Sequence, residues 1–328
     1  RRCCRRCRAS PEEGGGLRDG AGGAPPGSLP ALLAAVRECL DLAAKASPCE
    51  GRAAIATALQ AGMLCQLAAC LGSVGFETQK EAMNMFIDFL RAVSDLEAGT
   101  ALAIAIDSNP ECLEPLLEGL ACPTTLTCCA EMLREAARHP ALAAAMLRCG
   151  AAGRLAALAR GKDFDQEAEA FSVLRAVILE QPAVAGEHVA DNFGAFFGHI
   201  HGLLHDDGEY IMQRATLKLL GDILLHPEFR EVMCAYVARV DFLKIHMTLL
   251  ADVSVSMQVS VFHVLKVFLV NPYMPGDMLR LVTRNIQRLM RLIGGLYQKI
   301  DADDESLSAD LLAVIQSLQA FVEPCRSS

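Results

Sequence analysis

Four times this chain writes an apolar helical phrase that stops at a proline. AEMLREAARHP ends at Pro140, SVLRAVILEQP at Pro182, LKLLGDILLHP at Pro227 and VFHVLKVFLVNP at Pro272. Within LKLLGDILL, Leu217, Leu220 and Leu224 fall at i, i+3 and i+7, the spacing of one helical face. Proline ends such a run because it has no backbone N–H and its ring clashes with the preceding turn. Anchored on Leu90, Leu133, Leu174, Leu220 and Leu265, the phrases lie 43, 41, 46 and 45 residues apart. That interval belongs to armadillo and HEAT units of two or three helices. One such unit cannot bury its apolar face alone, so neighbours stack on a continuous core. The expected fold is therefore all-α: a right-handed α-solenoid of armadillo/HEAT-like repeats, a curved rod with a concave binding face. The chain offers no sustained strand-like alternation to compete with it.

Composition agrees with a folded, aliphatic protein. Of the 328 residues 52% are hydrophobic, yet there is no Trp and there are only four Tyr. The longest apolar runs, such as ALAAAML at 141–147, fall far short of the ~20 residues of a membrane-spanning helix, so no membrane span is expected. Residues 1–28 are rich in Arg, Cys and Gly, and no apolar stretch follows their basic start, so they do not read as a secretory signal. They are expected to be a disordered leader, followed by a helical-repeat domain over 29–323 and a short tail at 324–328, in the cytoplasm. The net charge is −9, and the leader holds six Arg against three acidic residues, so the remainder carries −12. An acidic body excludes nucleic acid as the main partner, because phosphate contacts need a basic face. The 14 Cys are scattered, and Cys65, Cys70, Cys128, Cys149 and Cys234 sit inside apolar helical patterns, where thiols act as small apolar groups. Cys4 and Cys7 form a lone C-x-x-C without the second ligand pair that zinc requires.

Catalytic signatures are missing. No phosphate-binding glycine loop, dinucleotide fingerprint or nucleophile-elbow motif occurs. His199, His201 and His205 put two imidazoles one helical turn apart, but no acidic residue lies between them as in H-E-x-x-H. DADDESLSADLL from Asp301 resembles a calcium loop loosely; Ser306 occupies the glycine position and Leu312 the bidentate glutamate position. The chain reads as a binding surface, not an enzyme, with no metal and no cofactor.

Several long segments resemble one family. Phe76-Glu77 and Lys80 followed by MNMFIDFLR, then MLREAARHPALA, RATLKLLGDILL and VFHVLKVFLVNP are similar to the calcium-binding protein 39 scaffolds over roughly residues 30–320. The resemblance implies a non-catalytic scaffold that binds kinase-fold proteins. These are germinal-centre kinases and the pseudokinase adaptor of the liver-kinase-B complex, held in the active shape; fungal members act in cell-polarity pathways. The protein is expected to be monomeric alone, and despite the family's name nothing here binds calcium by sequence.

Two surfaces carry over. The kinase-domain patch corresponds to Phe164 and to Tyr210, Arg214 and Lys218. The last three are spaced i, i+4 and i+8, one ridge of one helix. Spacing alone favours a solvated stripe, and it is the resemblance that turns the reading to binding. Gln213 stands where animal members tend to carry a basic residue. The pocket for a partner's C-terminal Trp-Glu-Phe-like peptide maps to Met247, Arg284 and Arg288, where members usually have Lys at the last two. Arg280, Arg284, Arg288 and Arg291 form a basic ridge. Like charges at i, i+4 cost about 0.2–0.5 kcal/mol per pair, which an acidic partner group would offset. A general armadillo-type adaptor with no allosteric effect on a kinase is the other expectation.

Overall fold

The computed structural model describes residues 29–161, 163–204, 210–252, 254–300 and 304–326, with side chains as far as residue 319. Among these residues there is helix and no strand. The chain forms two compact units that meet between Gln181 and Pro182.

The first unit runs through α1 (Leu29–Lys45), α2 (Pro48–Gln60), α3 (Met63–Cys70), α4 (Phe76–Asp95), α5 (Gly99–Ser108), α6 (Glu114–Gly119), α7 (Leu126–Ala137), α8 (Pro140–Arg148), α9 (Ala151–Leu158) and α10 (Phe164–Leu179). From α2 onward they group in threes. First helices pack on first helices (α2 on α5, α5 on α8), α3 packs on α6, and third helices pack as α4 on α7 and α7 on α10. The second unit repeats the scheme in α11 (Pro182–Asp191), α12 (Phe193–Gly202), α13 (Tyr210–Leu225), α14 (Arg230–Val237), α15 (Val240–Leu249) and α16 (Val255–Leu269). It ends in α17 (Gly276–Tyr297) and α18 (Glu305–Arg326), which pack on α15 and α16 as second and third helices without a first. The architecture is an all-α solenoid of armadillo-like repeats.

The recurring phrase is the third helix of each repeat. Its anchors Leu90, Leu133, Leu174, Leu220 and Leu265 are all completely buried. The prolines do more than stop these helices. Pro140 and Pro182 open α8 and α11, and Pro227 opens a 3-10 turn, as proline's fixed φ suits a first helical position. Between first and second helices the chain turns at Gly62 (φ 71°) and Gly150 (φ 73°), a left-handed conformation that glycine adopts without a Cβ clash.

A recurring buried glutamine was not expected from the sequence. Gln79, Gln213 and Gln258, each the fourth residue of its third helix, are 4%, 9% and 6% exposed. The Gln79 amide donates to the carbonyls of Leu71 and Val74, at 3.0 and 3.2 Å, and that of Gln258 to Leu250 and Asp252, at 3.4 and 2.8 Å. Each fastens its helix to the end of the preceding one, satisfying carbonyls that a helix terminus leaves unpaired.

Candidate functional site

In the first unit Phe164 is the first residue of α10 and 61% exposed. It is presented by its neighbour: Asp163 caps α10, accepting from the Gln166 N–H at 3.1 Å, so Phe164 enters the helix at a fixed point. Beside it a cleft of about 420 Å³ opens between the starts of α7 and α10, lined by Pro123, Thr127, Asp163, Asp165 and Glu169 among others. Glu169 accepts from Arg134 of α7 at 2.6 Å, and Arg134 also pairs with Glu131, tying the two helices together.

In the second unit Tyr210, Arg214 and Lys218 are all exposed along α13, while Gln213 and Leu217 between them are buried. The expected ridge is present. The Arg214 guanidinium lies 5.8 Å from the centre of the Tyr210 ring, a cation–π distance. The Tyr210 hydroxyl is 2.8 Å from the Ser254 hydroxyl, and Ser254 caps α16, so the ridge is pinned to the following third helix. That hydrogen bond, helped by Arg214, holds the phenol below its ordinary pKa. Gln213, where animal members tend to carry a basic residue, is buried and does not add to the exposed ridge.

The two helices that carry the residues expected of a tail pocket are in contact. Helix α15, which carries Met247, packs on α17, which carries Arg284 and Arg288. The two arginines are exposed, and Met247 is 9% exposed, so it belongs to the packed core beneath the surface. One face of α17 is sealed by Met278, Val282, Ile286, Leu289, Ile293 and Leu296; Arg280, Arg284, Arg288 and Arg291 occupy the open face. Arg280 pairs with Asp277. Arg284, Arg288 and Arg291 have no carboxylate partner among the described residues.

The histidine cluster has a different use. His199 is exposed, and His205 lies outside the described residues. His201 places Nε2 2.9 Å from the Tyr236 hydroxyl, which is 2.7 Å from Nε2 of buried His246, amid Phe197, Phe242 and Phe268. No group of three possible metal ligands occurs among the described residues. Cys4 and Cys7 also lie outside them.

No single helix among the described residues is long and apolar enough to cross a membrane. A family model described as Mo25-like matches residues 31–321. The degreening-related gene dee76 protein of Auxenochlorella protothecoides is 27% identical over 261 residues, 80% of each chain. The calcium-binding protein 39-like protein of Mus musculus is 28% identical over 276 residues, 84% of this chain and 81% of that one. The Mo25-like protein of Schizosaccharomyces pombe is 30% identical over 188 residues, 57% of this chain and 56% of the other.

Proposed function

From the premise that this chain belongs to the Mo25-like family, we propose that it is a scaffold for protein kinases. It binds kinase or pseudokinase domains of the germinal-centre type through Phe164 and the Tyr210–Arg214–Lys218 ridge, and C-terminal Trp-Glu-Phe-like tails through α17. The observation that carries this reading is the ridge itself. A tyrosine and two cations stand exposed in line, with Tyr210 held by Ser254 and Arg214 against its ring. Ordering long side chains costs entropy that a merely solvated stripe would not recover, and a pre-ordered aromatic–arginine surface is the composition of binding hot spots.

The scaffold performs no chemistry of its own. It activates by preferring one conformer: affinity for the active kinase shape exceeds that for the inactive one, and the difference sets the shift in population. Two contact surfaces on one ligand raise the effective concentration of the second once the first is engaged. The test is a two-component assay of a purified germinal-centre-type kinase with this protein. Turnover should rise on addition and the rise should be lost with Arg214→Ala. Binding without any change in turnover would reduce the protein to a tether, and absence of binding would overturn the reading.

A further inference from the structure

The ridge that opens at Tyr210 has a counterpart in the first unit. Tyr210-Ile211-Met212-Gln213-Arg214 and Phe76-Glu77-Thr78-Gln79-Lys80 share one pattern, aromatic-x-x-Gln-cation, at the first five residues of a third helix. The structure gives the pattern one form in both places. The glutamine is buried, the aromatic is exposed, 60% for Phe76 and 43% for Tyr210, and the cation lies over the ring. Lys80 Nζ is 4.2 Å from the centre of the Phe76 ring. Core packing does not require this arrangement, because the helix is already fastened by Gln79 and the ring faces solvent.

Within the first unit this pair shares an edge with Phe164. Helices α4, α7 and α10 pack in sequence. Helix α4 packs on α7, and Lys80 lies within electrostatic reach of the Cys128 thiol at the third position of α7, so the starts of these two helices are neighbours. The cleft lined by Thr127, Asp163 and Asp165 sets the start of α7 beside the start of α10. Three helix starts thus lie in a row, an exposed phenylalanine on each outer one and an acidic cleft beside Phe164. At 8–10 Å between packed helices the two rings are roughly 20 Å apart, a distance that one folded domain spans.

We propose that Phe76 and Lys80 form a second contact for the same kinase-fold domain that docks at Phe164. The inference rests on the reading of Phe164 given above. The partner it fits has an apolar side chain for each ring, a carboxylate for Lys80, which has no carboxylate partner among the described residues, and a basic side chain for the cleft carrying Asp163 and Asp165. Charge complementarity of this kind fixes register as well as rate of association.

The experiment is a titration of an isolated germinal-centre-type kinase domain, without its tail, against the full chain and the variants F76A, K80E, F164A, R214A and I104A. Ile104 on α5 is the control, 58% exposed but in the first-helix layer. F76A and K80E should each weaken binding about fivefold or more, the scale of a contributing interface residue. The loss in K80E should shrink as salt rises, and I104A should bind as the unaltered chain does. If F164A and R214A weaken binding while F76A and K80E do not, the second contact is wrong and the scaffold reading survives. If none of the four weakens it, both readings fall. Equal weakening by I104A would show a nonspecific loss and overturn the proposal. Thermal melting of every variant separates a lost contact from a lost fold.

Discussion

The Tyr236 hydroxyl sits 2.7 Å from Nε2 of His246, whose other ring nitrogen, Nδ1, is buried without a hydrogen-bond partner. A buried N–H without an acceptor costs more than a bare lone pair, so Nδ1 is the unprotonated nitrogen. The proton is on Nε2, which donates to Tyr236 Oη, and Tyr236 in turn donates to His201 Nε2 at 2.9 Å. One direction of hydrogen bonding runs from the core outward.

This arrangement makes stability sensitive to acid. Burial lowers the pKa of His201 to about 4 and that of His246 to about 3, well below the ordinary imidazole value of about 6.5. Below about pH 6.5 the unfolded chain therefore takes up protons that the folded chain refuses until near pH 4. The contribution of neutral histidine is complete above 6.5 and is lost as pH falls, by at most about 1.4 kcal/mol per pH unit for each histidine. Denaturant midpoints measured between about pH 7 and pH 4.5 should fall more steeply in the unaltered chain than in a His201→Asn variant. Parallel curves would count against the histidine's part.

Tyr236→Phe should destabilise the second unit by about 1–3 kcal/mol, because it leaves a donor on His246 and an acceptor on His201 unpaired inside an aromatic cluster. Chemical denaturation followed by tryptophan-independent signals such as far-UV circular dichroism would measure it, since the chain has no Trp.

Leu220→Ala should cost about 2–5 kcal/mol, as expected for truncating a fully buried leucine. An unmoved denaturation midpoint would mean that the apolar stripe of α13 is assigned to the wrong residues.

Gly186→Ala should also destabilise, by about 1–3 kcal/mol. A Cβ there would stand 2.8 Å from the Glu228 carbonyl oxygen, so α11 would have to move off the turn at Pro227–Phe229. A change to serine should be no better tolerated, and thermal melting of both variants checks the point.

Arg284→Ala with Arg288→Ala should abolish binding of a short peptide ending in Trp-Glu-Phe, and peptide affinity of the unaltered chain should drop as salt rises. Arg214→Ala should leave that peptide unaffected. Fluorescence polarisation of a labelled peptide at low and high salt reads both outcomes; equal loss in all variants would erase the distinction between two surfaces.

The repeat was legible because helical periodicity and proline punctuation are local signals. The five leucines chosen from them are all completely buried. The Tyr210–Arg214–Lys218 ridge was legible for the same reason, since i+4 spacing fixes a shared face whatever the tertiary context. Met247 stood open between pocket and core, since a methionine at helical spacing is more often plain core, and the sequence alone does not choose between the two. The Tyr236–His246 pair, ten residues apart on two different helices, was not legible. Phe76 with Lys80 carried a usable signal, the same five-residue pattern as at Tyr210, which becomes visible once the buried role of Gln79 and Gln213 separates that position from the exposed ones.

The glutamines at the fourth position of the third helices bear on how such a chain tolerates length change. At Gln79 and Gln258 one side-chain amide joins a helix to the carbonyls just before it, five to eight residues back in the chain. The joint is closed within its own repeat and asks nothing of the next. Insertions elsewhere in the repeat leave it intact, which suits a period that drifts between 41 and 46 residues. Length change confined to exposed connections outside the joint would leave it closed, while the same change placed inside the joint would uncouple two helices at once.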